Sequence, residues 1–463
     1  MIAQKINNLN CMKFLIKIYF FFLFAGLLFF AGNVNGQPDF SHAGIIISNI
    51  QITFFKPDTL SILAYGAHGD GVSDDRAAIQ NAIDACSKKG GGVVVVPAGT
   101  FFSRGPISLR SNVNLHLLKG AALLFSPEPG DYLPAVFTRW EGVEIYNYSP
   151  MIYTANQQNI AITGSGSIDG NGKEKWVPFR KLQGKARDRV HNSGVHQISV
   201  SERVFGEGDF LRSSFIQFIN CSRILIEGVR LVNSPFWMIH PVYCSDIVIR
   251  DVNFYSLVVN NDGIDFDSST MGLVENCTFT TGDDAVVFKS GRDSDGWRVN
   301  RPTKDIVVRN CSAPKVLHGI AFGSEMSGGI ENIYVENFNL GNVASQAIQF
   351  KANKDRGSYI KDVFIRNIEV DTVGSHLIYF TNSYHSYRGG NAPSEFHEIY
   401  LENIRCDAAN YCLQLQGLED MPLHDIFIRN VSVDRTEHVF GIKEFYKNVV
   451  LKEFFVEGEK IEL

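Results

Sequence analysis

A short phrase of alternating apolar residues recurs along this chain and limits the folds it can adopt. Alternation with period two predicts strands. Successive copies start 23 to 36 residues apart, which is too long for hairpins, and the intervening text has no helical pattern. The copies are ILIEGVRL from Ile224, IVIRDVNF from Ile247, GLVENCTF from Gly272, IVVRNCSA from Ile306, IYVENFNL from Ile333, VFIRNIEV from Val363, IYLENIRC from Ile399, IFIRNVSV from Ile426 and VVLKEFFV from Val449.

A second phrase lies between these copies and has its own matched columns. Its second position is always aliphatic and its fourth is nearly always Phe, as in GIDFDS from Gly263, AVVFKS from Ala285, GIAFGS from Gly319, AIQFKA from Ala347, LIYFTN from Leu377 and CLQLQG from Cys412. Two interleaved strand ladders are typical of a solenoid, in which each coil buries its apolar face against the next. We therefore predict an all-β fold, a right-handed single-stranded parallel β-helix.

The open end of such a solenoid needs a cap, and a segment at about residues 60–100 suits this role. Residues 75–87 predict a short amphipathic helix with Ser73 or Asp74 as N-cap, because apolar residues recur with helical spacing at Ile79, Ala82, Ile83 and Cys86. We expect Val93 to Val96 to form the first buried strand.

The N-terminus resembles a targeting segment rather than part of the fold. Lys13 and Lys17 precede an apolar run over residues 18–31, and small residues follow. This pattern predicts a secretory signal over residues 1–36, a single domain over residues 37–463 and a periplasmic or secreted location. An uncleaved anchor is the alternative. No later apolar run is long enough to span a bilayer.

The net charge of −6 argues against a nucleic-acid partner, which requires a basic face. Seven cysteines would remain after signal removal, and they show no paired metal-binding spacing. That odd number over so long a chain does not indicate a disulfide framework, although one local disulfide is left open. We expect no metal, no cofactor and a monomeric protein.

Chemistry-bearing residues cluster on one flank when the second ladder is aligned by its strands. The position before each strand reads Asp262, Asp284, His318 and Gln346, and Asp283 stands one place earlier. Positions inside the strands add Asp265, Asp267, Lys289 and Lys351. Turn carboxylates often bond only to the backbone. For Asp265 or Asp267 taken alone, this structural role and a role in the site are equally good interpretations. Crowded carboxylates, however, shift one another's pKa and favour acid–base chemistry.

Glycoside hydrolysis requires such an arrangement. One protonated carboxyl donates to the leaving oxygen, and a carboxylate about 6.5–9.5 Å away activates water on the other sugar face in an inverting enzyme. Neighbouring rungs of a β-helix supply such separations.

At these residues the sequence resembles glycoside hydrolase family 28, the polygalacturonases, and its bacterial exo-acting branch. The family motifs N-T-D, D-D, G-H-G and R-I-K stand here as Asn260-Asn261-Asp262, Asp283-Asp284, Leu317-His318-Gly319 and Gln349-Phe350-Lys351. The flanking text NSPFWMIHPVYC, FKSGRDSDGW and GSEMSGG is also similar to that branch. The resemblance runs from about residue 60 to the C-terminus.

The resemblance implies specific roles. Asp283 would be the general acid, and Asp262 and Asp284 would hold and activate the water. His318 would support Asp283 and the leaving-group side, while Lys351 would bind a substrate carboxylate.

We include Asn260, Lys289 and Gln349 among the substrate-binding candidates. Gln349 replaces the family Arg, which predicts a subsite for a neutral or esterified sugar, or for a galacturonate held from elsewhere. Asn261 replaces Thr, and Leu317 replaces the first Gly.

The sequence therefore predicts a glycoside hydrolase that cleaves α-galacturonide linkages in pectic polysaccharides or oligosaccharides, with an exo mode expected. A rhamnogalacturonan-type hydrolase or α-galacturonidase on branched pectin is a close alternative. Two alternatives from other functional classes also remain, because fold alone does not fix function. They are a pectate-type lyase and an inert carbohydrate-binding β-helix. The inserts after Lys289 and around residues 179–205 are candidates for loops that close the groove.

Overall fold

The computed structural model describes residues 40–385 and 388–463. Residues 40–463 form one compact unit. The predicted signal segment, residues 1–36, lies outside the described residues, and the assignment of residues 37–463 to a single domain stays a prediction.

Three ladders of parallel strands wind around one apolar interior. The first ladder, face 1, carries the second sequence phrase, and its strands pair rung on rung from Ile152 to the C-terminal coils. Its separate strands are Ile152–Ala155, Ile216–Ile219, Ile239–Val242, Ile264–Asp267, Asp284–Lys289, His318–Gly323, Ile348–Lys351 and Thr436–Glu444.

Face 2 carries the first sequence phrase. Its copies pair in register, for example Ile224 with Ile247 and Ile306 with Ile333. The separate strands are Thr59–Ser61, Gly92–Val96, Val113–Leu117, Gln158–Gly164, Ser222–Glu227, Ser245–Arg250, Thr270–Glu275, Leu423–Val433 and Tyr446–Val456, and Glu459–Lys460 pairs antiparallel to the last of these.

Face 3 begins at the capped end. In later coils its strands are no longer separate but continue directly from the strands of face 2. Its separate strands are Asp70–Asp74, Gly99–Ser103, Ala121–Phe125, Ser167–Asp169, Arg230–Val232, Asn253–Ser256 and Thr278–Thr281. Longer strands then bend from one face to the next: Thr303–Val316, Ile330–Val343, Tyr359–Thr381 and Ile399–Gln416, with Glu395–Phe396 as a short addition. An antiparallel hairpin, Val136–Trp140 and Val143–Asn147, stands outside the solenoid.

The interior is built from the repeated columns that define the sequence phrases. Five phenylalanines stack on consecutive rungs of face 1, with ring centroids 4.5 to 5.9 Å apart: Phe266, Phe288, Phe322, Phe350 and Phe380. All five are fully buried. Aromatic pairs in such stacks add stabilisation beyond the apolar area that they bury, so each coil is held to the next.

Asparagines turn the chain sharply after face 2. Asn310, Asn337, Asn367 and Asn403 all have φ between 53° and 56°, in the left-handed region. Asparagine tolerates this conformation better than most residues. The amide Nδ2 of Asn337, Asn367 and Asn403 each donates to the Oδ1 of the asparagine on the preceding rung, at 2.9 to 3.0 Å. The two Asn-Cys-(Ser or Thr) triplets lie in this column and serve as turns.

The predicted capping helix is present as Arg76–Lys88, with Ile79, Ala82, Ile83 and Cys86 buried. The N-cap is Asp75, so the assignment to Ser73 or Asp74 was wrong. The Asp75 carboxylate instead accepts from the backbone N–H groups of His68 and Gly69, while Asp74 Oδ1 accepts from Arg76 N. Val94 and Val96 are buried as expected. The two strands that precede them, Thr59–Ser61 and Asp70–Asp74, are more exposed to solvent.

A helix over Ser41–Asn49, which the sequence analysis did not predict, lies outside the solenoid against face 2. Its Ala43 and Ile46 pack on a cluster that includes Leu273, Val307 and Tyr334. Outward apolar residues on five successive coils take part in this cluster, because Val248 and Phe364 extend it on either side.

The remaining helices belong to insertions and turns. They are Phe179–Leu182, Gly184–Val195 and Asp293–Val299, with 3-10 turns at Ile62–Tyr65, Pro129–Tyr132 and Val200–Glu202. No helix within the described residues has the length and apolarity needed to cross a membrane. The seven cysteines of this part of the chain are buried free thiols, so the local disulfide left open by the sequence is not formed.

Candidate active site

The predicted site residues meet at the edge of face 1, where several strands begin. Six of the eight line one pocket of ≈ 710 Å³: Asn260, Asp262, Asp283, Asp284, Lys289 and Lys351. The other two, His318 and Gln349, lie behind these pocket-lining residues. His318 bonds to Asp283 and Gln349 bonds to Asp284.

Asp284 lies at the centre of the cluster and has three donors around its carboxylate. His318 Nδ1 is 2.8 Å and Gln349 Nε2 is 2.9 Å from Oδ1, and Lys351 Nζ is 3.4 Å from Oδ2. Burial opposes ionisation, but the charges of Lys351 and His318 outweigh it, and the pKa of Asp284 lies below its usual range. Asp284 is therefore held in its ionised form.

Asp262 and Asp265 form a second, poorly solvated pair. Asp262 Oδ1 and both oxygens of Asp265 are buried without hydrogen-bond donors. Lys289 Nζ is the nearest cation, at 3.3 Å from Asp265 and 3.7 Å from Asp262. Burial, followed by the repulsion of Asp265 and Asp283, raises the pKa of Asp262 well above its usual range. A proton is therefore retained on this pair at a pH that ionises Asp284.

Asp283 is more open than its neighbours and is held at both oxygens. Oδ1 lies 3.0 Å from His318 Nδ1, and Oδ2 accepts from Asn260 Nδ2 at 3.1 Å. Asn260 is itself fixed by Arg212 Nη2, which donates to its Oδ1 at 2.7 Å. Asn260 thus orients a carboxyl that faces the pocket.

His318 joins the two adjacent carboxylates through one nitrogen. Burial disfavours its protonation, but Asp284 and Asp283 outweigh that effect and raise the pKa of the imidazole. A charged His318 donates to this pair and so stabilises negative charge on either carboxyl group.

The structure corrects the expected environment of Gln349. Its side chain is only 1% exposed and is not part of the pocket wall. Because its amide donates to Asp284, Gln349 does not face a sugar subsite as the sequence analysis predicted. Asn261, at the position of the family Thr, is also buried and donates to the carbonyl of Phe236. Asp267 lies apart from the cluster and bonds to Arg139.

One side of the pocket is closed by an insertion outside the repeat. Helix Gly184–Val195 buries Ala186 and Val190 in an apolar cluster with Phe236 and Trp237, which flank the site. Its Arg187, Asp188, His191 and Asn192 line the pocket. Across the opening, Arg388 Nη2 donates to His191 Nδ1 at 3.0 Å and Nη1 donates to Asn192.

Comparison with known proteins identifies the family. The model of "Glycosyl hydrolases family 28" matches residues 206–450, more than half of the chain. This chain belongs to glycosyl hydrolase family 28. A second model, "Rhamnogalacturonase A/epimerase, pectate lyase-like", matches residues 59–121 at the capped end.

Similar proteins of this family 28 enzyme include a "Probable polygalacturonase" of Vitis vinifera, 31% identical over 82% of this chain and 74% of that one. An "Exo-poly-alpha-D-galacturonosidase" of Dickeya chrysanthemi is 27% identical over 75% of this chain and 62% of its own length. The crystal structure of an exopolygalacturonase from Thermotoga maritima superposes with a TM-score of 0.84, at 35% identity over 89% of this chain and 95% of that one. The predicted right-handed parallel β-helix and the glycoside hydrolase class are confirmed.

Several pocket residues of this family 28 enzyme escaped the sequence analysis. Arg292, Glu325 and Arg356 all follow strands of face 1. The residues singled out from the sequence repeat stand before those strands or inside them. Glu325 bonds to Arg292 and lies 3.5 Å from Lys289. Although burial opposes ionisation, Lys289 and Arg292 hold the pKa of Glu325 well below its usual range. Reading the residues after each strand would have found this group.

Asp283, Asp284 and His318 are the one group, within residues 40–385 and 388–463, whose three potential metal-ligating atoms lie within 4.8 Å of one another. His318 Nδ1 already bonds to both carboxylates. The expectation of no metal and no cofactor stays a prediction.

Proposed function

We propose that this protein hydrolyses α-galacturonide linkages of pectic chains with inversion, and that it acts from a chain end. The observation that carries the proposal is the contrast between adjacent carboxyl groups at the pocket floor. Asp284 has three donors, Asp262 has one distant cation, and Asp283 faces the pocket between Asn260 and His318. Carboxyl groups held in different protonation states are what glycoside hydrolysis requires.

In the proposed reaction, Asp283 gives its proton to the glycosidic oxygen as the bond from that oxygen to the anomeric carbon breaks. A water molecule attacks the anomeric carbon from the opposite face and loses its proton to Asp284. Asp262 holds this water, and His318 stabilises Asp283 once it is ionised. Because Asp262 and Asp284 act on water and form no glycosyl–enzyme bond, the product has the inverted configuration. One oxygen of Asp283 and one of Asp284 lie within 4.8 Å of each other, closer than the separation of about 6.5–9.5 Å usual for inverting enzymes. Inversion is therefore proposed from the pair that holds the water and not from this spacing.

A substrate with carboxylates is supported by the cations around the pocket. Lys351 and Lys289 line its floor, and Arg187 and Arg388 line its closed side. The Arg187 side chain is 47% exposed and so can reach a ligand, although Nε already donates to Glu141 at 2.8 Å. Cations that carry hydrogen-bond donors bind carboxylates more strongly than neutral donors do.

An exo mode is supported by the wall that helix Gly184–Val195 builds. A chain that crosses an open groove can be cut internally, whereas a pocket closed on one side accepts a chain end. The bridge from Arg388 to His191 reinforces this closure. The exo-acting relatives from Dickeya and Thermotoga point the same way.

We also propose that residues 1–36 direct export and that a monomer acts on pectic polymer in the periplasm or outside the cell. The support is the basic and apolar N-terminal sequence. Fractionation of an expressing cell, with N-terminal sequencing of the exported protein, tests this part alone.

The decisive experiment compares homogalacturonan, rhamnogalacturonan and oligogalacturonides labelled at either end. Monomers or dimers released from the start, without products of intermediate size, are the expected result, and the labelled end shows the direction. An Asp283→Asn variant serves as the inactive control. Random intermediate products would overturn the exo mode, and unsaturated products would overturn hydrolysis itself.

A further inference from the structure

Gln349 reaches Asp284 across an intervening rung of face 1. Asp284 pairs with His318 on the next rung, and Gln349 pairs with Ala321 on that same strand and lies one rung further. The contact, 2.9 Å from Nε2 to Oδ1, thus joins residues on two rungs that are not neighbours.

The amide contact is, with His318 and Lys351, one of three donor contacts that distinguish Asp284 from Asp262. Both carboxyl groups are at least 97% buried, so donor groups rather than water decide which of them is ionised. Gln349 directs its N–H toward Asp284, whereas Asp262 Oδ1 receives no hydrogen bond. A hydrogen bond to the ionised form of an acid favours that form and fixes its orientation.

We infer that Gln349 is a positioning residue, which holds Asp284 as the ionised base and aims its free lone pairs at the attacking water. This inference rests on the proposed function, in which Asp284 accepts the proton of water. Gln349 acts on turnover through Asp284 and does not contact the sugar. Its replacement of the family arginine keeps a donor on the base without placing another cation beside Lys351 and His318.

The test is Gln349→Met, which keeps the side-chain length and removes the donor. Loss of a hydrogen bond to a charged group predicts a fall in kcat of roughly 10- to 100-fold. KM on an oligogalacturonide should stay within about twofold, and the acidic limb of the kcat–pH profile should move to higher pH. Gln349→Glu, of nearly the same shape, provides a second variant in which a carboxyl replaces the amide donor, and its acidic limb should move in the same direction.

The matched control is Gln414→Met. Gln414 occupies the same column two rungs further on, is also buried, and lies outside the pocket. Thermal unfolding of each variant verifies the fold. A raised KM at unchanged kcat, an unmoved pH profile or an equal loss in Gln414→Met would overturn the inference. A wild-type protein that releases no hydrolysis product would instead refute the proposed function, so the two failures are distinguishable.

Discussion

Arg139 Nη1 lies 2.9 Å from Asp267 Oδ1, and neither side chain is exposed to solvent. The pair fastens the hairpin of Val136–Trp140 and Val143–Asn147 to face 1, two residues beyond Asp265 on the same strand. The same hairpin turn contains Glu141, which lines the pocket. One buried ion pair thus joins the solenoid to an element outside the repeat.

Asp267→Asn should reduce the free energy of unfolding by about 3–5 kcal/mol, because it leaves a buried guanidinium without its counter-charge. Chemical denaturation measures this change. Asp434→Asn is the control, because its partnership with Arg405 lies on the surface, with both side chains more than half exposed. Its denaturation midpoint should hardly move. Equal midpoints for both variants would show that the buried pair does not anchor the hairpin.

Asp283→Asn should lower kcat by about 10²–10⁴-fold, the usual contribution of a positioned acid or base. The change removes the proton donor while keeping the volume, so the fold and KM should persist. Asp251→Asn makes the same substitution at an exposed turn with φ of 56° and should be fully active. Activity of the Asp283 variant above a tenth of wild type would rule out the acid assignment.

The first sugar released should have the inverted anomeric configuration, because no carboxylate in the proposed mechanism bonds to the anomeric carbon. Proton NMR of the product in the first minutes, before mutarotation, reads the configuration directly. A retained anomer would require a covalent intermediate and a different role for Asp262 or Asp284.

The lowered pKa of the buried His191 should make the stability of the protein depend on pH. Burial, followed by the positive charge of Arg292, lowers the pKa of His191 to about 4 from its ordinary 6.5. Between these values the unfolded chain binds a proton that the folded protein does not, so this group makes stability fall as pH falls from 6.5 to 4.

His191→Gln should remove that component, which is on the order of 2 kcal/mol across the window. Unfolding free energies at pH 7 and pH 4.5 for wild type, His191→Gln and the exposed-surface control His438→Gln test the idea. Identical pH slopes in all three proteins would contradict it.

The solenoid could be predicted from the sequence because its columns repeat. The Phe column and the asparagine turns recur with each coil, so register alone placed Asp262, Asp284 and His318 on consecutive rungs. The same reasoning failed for Gln349, because strand phase places a side chain on a face but does not show whether it meets solvent. Gln349 and Lys351 share that phase and both contact Asp284, yet only Lys351 lines the pocket.

The wall of the pocket could not be located from the repeat. Helix Gly184–Val195 lies outside it, and its position depends on packing of Val190 against Trp237 and neighbouring residues distant in sequence. The inserts after Lys289 and around residues 179–205 were named as closing loops, but nothing in their composition fixes where they dock. The helix Ser41–Asn49 was missed for the same reason.

That outer helix has a consequence for the order of folding. Its apolar face docks on coils that contain Leu273, Val307 and Tyr334, more than 200 residues later in the chain. Contacts between residues so far apart in sequence form slowly, because the intervening loop must first be closed. During synthesis, Ser41–Asn49 emerges early, but it can dock only after the middle coils have stacked. This patch of the surface is thus completed only after those coils have stacked, and the time at which the helix becomes resistant to proteolysis during refolding would report their assembly.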